Sequence, residues 1–151
     1  MKTQSINERV AALPFFKGMS KQHLDFISGC ASHVHFKEGA FLLLEGKEAE
    51  QFFAIWEGRV CLEIEAANKT FIFQTIGEGD VVGWSWLTAP YRWAYDARAV
   101  TSVSAIGFDA PCVRRKCEED PVFGYEMLKR FSQLIIKRLM ATRMLLTDMY
   151  Q

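Results

Sequence analysis

Gly77-Glu78-Gly79-Asp80-Val81-Val82-Gly83 is the stretch on which the fold turns. It packs a tight turn, a two-residue apolar strand and a second turn into seven residues. Glycine takes the positive φ that such turns need at little cost. The same punctuation recurs on both sides, at Lys37-Glu38-Gly39, Glu45-Gly46-Lys47, Glu57-Gly58 and Ala67-Asn68-Lys69. Between these turns lie short runs that alternate or are rich in aromatic and β-branched residues. They are His33–Phe36, Phe41–Leu44, Gln51–Trp56, Arg59–Ala66, Thr70–Ile76, Val81–Gly83, Tyr95–Val100 and Ser104–Phe108. About eight short strands joined by tight turns predict a jelly roll or β-sandwich, not a parallel sheet.

Helices are expected on both sides of this β zone. Before it, Val10, Leu13 and Phe16, then Leu24, Ile27 and Ala31, recur at helical spacing. Gly18 divides two short helices, and Ser20 is a suitable N-cap for the second. After the β zone, Asp109-Ala110-Pro111 opens a short helix through Cys117. Asp120-Pro121 then starts a long helix to about Tyr150, with Asp as cap and Pro in the first turn. That helix is apolar nearly all round, so a second body should cover part of it. Leu128, Phe131, Ile135, Arg138, Thr142, Leu145 and Met149 keep a 3-4 repeat. The expected interface with a second copy is Leu128, Phe131, Ile135, Thr142, Leu145 and Met149; complete burial inside one chain is the alternative. The expectation is one mainly β domain over 1–151, with helices over 1–31, a β-roll over 32–108 and helices over 109–151.

Composition restricts function. The chain has 151 residues, half of them hydrophobic and 13% aromatic, so it is long and apolar enough for one real core. Its 18 basic and 18 acidic residues cancel, which leaves no general attraction to nucleic acid or anionic membrane. Lys137, Arg138 and Arg143 interrupt the longest apolar runs, and Met1–Leu13 lacks the layout of a secretory signal. No membrane association and a cytoplasmic location are expected. Cys30, Cys61, Cys112 and Cys117 show neither a CxxC pair nor zinc spacing, and reduced thiols are expected.

Phe36-Lys37-Glu38-Gly39, Glu45-Gly46, Phe52–Val60 and Gly77–Gly83, in this order and spacing, resemble the cyclic-nucleotide-binding domain of bacterial catabolite-activator-like regulators. The resemblance implies a β-roll with a phosphate-binding cassette after Gly83, where helix-terminal amides and an arginine hold the phosphate and a glutamate accepts from the ribose. Here the segment reads Gly83-Trp84-Ser85-Trp86-Leu87-Thr88-Ala89-Pro90-Tyr91-Arg92-Trp93-Ala94. Arg92 falls close to the family's arginine, whereas Trp84 stands at the glutamate position. The resemblance therefore implies a ligand site of Gly83, Trp84, Ser85, Trp86, Leu87, Arg92, Trp93 and Ala94, completed by Thr142 and Arg143 from the long helix. The ligand would be cyclic AMP, cyclic GMP or another small anion, with no cofactor required. In the alternative, the tryptophans fill the mouth of the roll and Arg92 pairs with a carboxylate such as Asp96.

The expected function is non-catalytic sensing, with allosteric output through the C-terminal helix to a regulatory protein partner. A degenerate fold kept for dimerisation or protein interaction is the alternative. A cupin-like metal protein is a weaker one, because His33 and His35 have no later histidine to complete a site. Ser85 lacks the surroundings of a hydrolase nucleophile. No helix-turn-helix follows the long helix before Gln151, so DNA binding is not expected of this chain.

Overall fold

The computed structural model describes residues 5–150; residues 1–4 and 151 of the expected domain lie outside that range. The N-terminal helices are α1 (Ile6–Ala12) and α2 (Lys21–Ser28), with a single 3-10 turn at Pro14–Phe16 between them. The strands follow as β1 (Ala31–Phe36), β2 (Phe41–Leu43), β3 (Gln51–Glu57), β4 (Val60–Ala66), β5 (Lys69–Ile76), β6 (Val81–Val82), β7 (Asp96–Ala99) and β8 (Val103–Asp109). Helices α3 (Ala110–Glu119) and α4 (Pro121–Met149) close the chain. All eight expected strands and the flanking helices are present.

The strands form two four-stranded antiparallel sheets, ordered β1-β8-β3-β6 and β2-β7-β4-β5. Val60 and Leu62 of β4, Ala97 and Ala99 of β7, and Phe52 and Ala54 of β3 have no exposed surface and belong to one continuous core. The helix caps follow the sequence. Ser20 accepts from the His23 amide, and Asp120 accepts from the amides of Val122 and Phe123.

Helix α4 is anchored over its first half. Phe123, Met127, Phe131 and Arg138 are buried against the roll. Arg130 donates to the carbonyl of Phe15 at 2.6 Å and to Glu126 at 2.9 Å. His23 Nδ1 shares a 2.7 Å hydrogen bond with the other Glu126 oxygen. Burial disfavours the Glu126 carboxylate, but the bonds from His23 and Arg130 outweigh it and hold its pKa below the usual range.

Two expectations are corrected here. Phe131 is not on the outer seam: it has 0% exposure and packs edge-on against Phe15, Phe52 and Trp86. A ring enclosed in its own core has no surface left for a partner. Arg138, assigned to the same repeat, also turns inward, with 4% exposed. The outward stripe is therefore rotated, through Tyr125, Leu128, Leu139, Leu146 and Met149, at steps that keep the 3-4 repeat. Of the expected interface, Leu128, Leu145 and Met149 are exposed, while Ile135 and Thr142 are half-buried.

The second correction concerns the thiols. Cys30 and Cys112 form a disulfide, with Cα atoms 5.8 Å apart. Pairing of Ala31 with Phe108 brings the end of α2 beside the start of α3, and the Asp109 amide donates to the Cys30 carbonyl. A gap of 82 residues hides this approach in the sequence. Cys61 and Cys117 are free. Closing so long a loop restricts the unfolded chain, so Cys112→Ser should lower stability by about 2–5 kcal/mol in chemical denaturation without reductant. With reductant present, the wild type should fall to the level of the variant. Equal wild-type midpoints with and without reductant would show that the thiols are not joined.

Candidate ligand-binding site

The segment from Gly83 to Ala94 lies between β6 and β7 and folds as a compact loop. Gly83 starts it at φ +101°, where a Cβ would stand 2.7 Å from the ring of Trp93. Only glycine meets both the backbone angle and the close approach. The returning limb is held by the loop after β2. The Gly46 amide donates to the Trp93 carbonyl at 2.8 Å, the Trp93 amide to Lys47 at 3.0 Å, and the Ala49 amide to Tyr91 at 2.7 Å.

Aromatic side chains fill the segment's inner side. Trp86 is fully buried and stacks on Phe52 at 4.7 Å, with planes 16° apart. Burying a ring of this size is worth about 4–6 kcal/mol by area. That exceeds the roughly 1–3 kcal/mol cost of its unpaired indole N–H. Trp93 has 6% exposure and packs beneath Gly83. Trp84 is half-buried and rests on Tyr95, with ring centres 5.4 Å apart. Phe73 meets the same tyrosine edge-on at 5.4 Å.

Arg92 is exposed, and its Nη1 donates to the Gly46 carbonyl at 2.9 Å. It does not pair with Asp96, whose carboxylate accepts from the Glu45 amide. Ser85 and Leu87 are half-buried, and Ala94 is exposed. Thr142 donates to the Arg138 carbonyl within its own helix. Arg143 is exposed and borders a hollow with Met140, Met144, Thr147 and Asp148, all on α4. The structure thus gathers Gly83, Trp84, Trp86 and Trp93 around the core, and leaves Arg92, Ala94 and Arg143 at the surface.

Three residues absent from the expected site matter more than several within it. Arg114 of α3 donates to the Trp86 carbonyl at 2.8 Å and lies 4.2 Å from the Tyr91 ring centre, pinning the cassette to the helix. Arg138 of α4 donates through Nη2 to the Val81 carbonyl, while its Nη1 is buried without a partner. Burial lowers its pKa, though Tyr95 and Asp80 act in the opposite direction. Tyr95 is 5% exposed, and its hydroxyl has no hydrogen-bond partner. Burial pushes its pKa up to about 12; the charge of Arg138 and the nearby Gly83 amide, which stops short of hydrogen-bond geometry, offset part of the rise. A single polar residue inside an apolar run gives no sequence pattern by which to find either group.

Among the described residues, no three His, Cys, Asp or Glu side chains come together as metal ligands. His33 and His35 are exposed on β1.

The model of the cyclic nucleotide-binding domain matches residues 33–120. The chain belongs to that family. Solved structures agree on the fold. A Geobacter metallireducens GS-15 protein classed with the cyclic nucleotide-binding proteins has a TM-score of 0.80 at 22% identity, over 90% of this chain and 99% of its own. A cyclic nucleotide-binding domain from Methylobacillus flagellatus KT has a TM-score of 0.75 at 18% identity, over 91% and 78%. The regulatory subunit of a cAMP-independent protein kinase A from Trypanosoma brucei has a TM-score of 0.67 at 24% identity, over 83% and 45%. No curated protein matches the chain in sequence. No helix among the described residues of the domain is long and apolar enough to cross a membrane.

Tyr95 makes the packing of this site measurable. Its folded pKa lies above the unfolded value near 10, so folding favours the protonated phenol. The stability this contributes is complete below pH 10 and is lost as pH rises from about 10 to 12. The loss is on the order of 2–3 kcal/mol. The denaturant midpoint of the wild type should therefore fall relative to that of Tyr95→Phe over that window. Parallel curves would place the hydroxyl in water.

Proposed function

We propose that this chain is a non-catalytic regulatory sensor that pairs with a second copy through α4 and responds to a small anion other than a cyclic nucleotide. The carrying observation is the use of Arg92. A phosphate held in the family's manner needs that guanidinium in the pocket, but here it is exposed and bonded to Gly46. Trp84, at the glutamate position, offers no acceptor to a ribose hydroxyl. Leaving such a hydroxyl unpaired on burial costs binding. The Trypanosoma brucei relative, whose kinase is described as cAMP-independent, supports the view that the fold does not require cyclic AMP.

The output runs through α4. Phe131 touches the cassette at Trp86, and Arg138 holds the carbonyl of Val81, just before it. A ligand that alters the cassette thus acts on the helix that carries the exposed stripe, through a shift between two packings. Tyr125, Leu139 and Met149 are each more than 60% exposed, which suits a helix paired with its copy. A regulatory protein reading that dimer is the proposed partner. The cytoplasm is the proposed location; there the Cys30–Cys112 bond would form only under oxidising conditions, because intracellular thiols are kept reduced.

Two measurements test this proposal. In a thermal-shift titration, cyclic AMP and cyclic GMP should leave the melting temperature unchanged. A saturable rise that disappears in Arg92→Ala would restore the cyclic-nucleotide assignment. Light scattering should give the mass of a dimer for the wild type and of a monomer for Leu139→Glu, because a charge in a coiled-coil seam is strongly disfavoured. An unchanged mass for the variant would refute the rotated stripe.

A further inference from the structure

The interior beside the cassette contains two buried hydrogen-bond donors that have no partner. Arg138 has 4% exposure, and its Nη1 lacks a partner. Tyr95 has 5% exposure, and its hydroxyl also lacks one. Among the described residues, no carboxylate comes within salt-bridge distance of Arg138. Asp80 is near enough to influence it, but one of its oxygens already accepts from the Gly77 amide at 2.9 Å. Buried charges are ordinarily paired, and buried donors ordinarily bonded.

We propose that Arg138 and Tyr95 are the anion-recognising end of an internal site that takes a small aromatic carboxylate. A carboxylate accepts only, through two oxygens, and so matches one arginine N–H and one phenol O–H. It also supplies a negative charge in direct contact with Arg138, which a bound water cannot. The rest of the surroundings calls for a flat apolar body. Phe73 meets Tyr95 edge-on, and the Trp84 indole is tilted against it. Trp84 is the half-buried wall next to a tyrosine with almost no exposure. The ligand's ring takes the place of the Trp84 indole against Tyr95, and Trp84 moves outward. Since Arg138 also holds the Val81 carbonyl, the bound anion lies at the junction of α4 and β6.

This inference rests on the proposal that the input is a small anion other than a cyclic nucleotide, and its test is separate. Phenylacetate is titrated into the full chain and followed by melting temperature and tryptophan fluorescence. The uncharged analogue 2-phenylethanol and inorganic phosphate serve as comparisons. Phenylacetate should raise the melting temperature saturably and change the fluorescence, whereas 2-phenylethanol and phosphate should not. Arg138→Gln, checked for folding by circular dichroism, should weaken phenylacetate on the order of a hundredfold. Tyr95→Phe, which keeps the ring, should weaken it roughly tenfold. Arg92→Ala should bind it as wild type does.

Equal effects of phenylacetate and 2-phenylethanol would overturn the inference. So would binding of phosphate in preference to phenylacetate, or loss of binding in Arg92→Ala. If Arg138→Gln does not fold, unchanged affinity in Tyr95→Phe is sufficient to overturn it. Inert phenylacetate together with inert cyclic AMP refutes only this site. Cyclic AMP bound through Arg92 refutes the broader proposal instead.

Discussion

The contact between Phe52, Trp86 and Phe131 is the constraint on which the rest of the molecule depends. Phe52 of β3 lies between two nearly parallel rings, Phe108 of β8 at 4.7 Å and Trp86 of the cassette at 4.7 Å. Phe131 of α4 meets Phe52 and Trp86 edge-on at 5.2 and 5.1 Å. Offset-stacked and edge-to-face pairs of this kind add about 0.5–1.5 kcal/mol each beyond the area they bury. One column of rings therefore joins a sheet, the loop of the candidate site and the long helix. No member can move far without disturbing the other two, because close-packed interiors shift between discrete arrangements.

That constraint explains why α4 has two characters. Up to Arg138 its inner face is bound to the roll by Phe123, Met127 and Phe131. Beyond Arg138, Leu139, Met140, Met144, Leu146 and Met149 are all more than half exposed. The boundary falls at the residue that links the helix to Val81 and lies beside Tyr95. Position along α4 thus divides a half committed to the fold from a half open to association. Arg138 stands where a change in the cassette would pass from one to the other.

Much of the fold was legible in the sequence because its signals are local. Turn glycines, alternating apolar residues and the caps Ser20, Asp109 and Asp120 need only a few neighbours to be read. The facing of α4 was not. Its apolar residues encircle the helix, so two registers of the 3-4 repeat are equally good locally. Burial of Phe131 under Trp86 selects between them, and that contact spans 45 residues. The Cys30–Cys112 bond was hidden for the same reason. At the site, the glycine and tryptophan positions delimit the loop between β6 and β7. The destination of Arg92 depends on a carbonyl 46 residues earlier, and the proximity of Tyr95 to Arg138 depends on how α4 lies across the roll. Tertiary geometry, not propensity, decides both.

The central claim is that the cassette and α4 form one packed unit through the aromatic column. A double-mutant cycle on Trp86→Leu and Phe131→Leu, read as unfolding free energies, tests it most directly. The account predicts a coupling energy of about 1 kcal/mol or more between the two positions, since each ring loses its partner in either single variant. Additive effects within about 0.3–0.5 kcal/mol would mean that the rings do not support one another. In that case the cassette would be free to move independently of the helix, which contradicts the account.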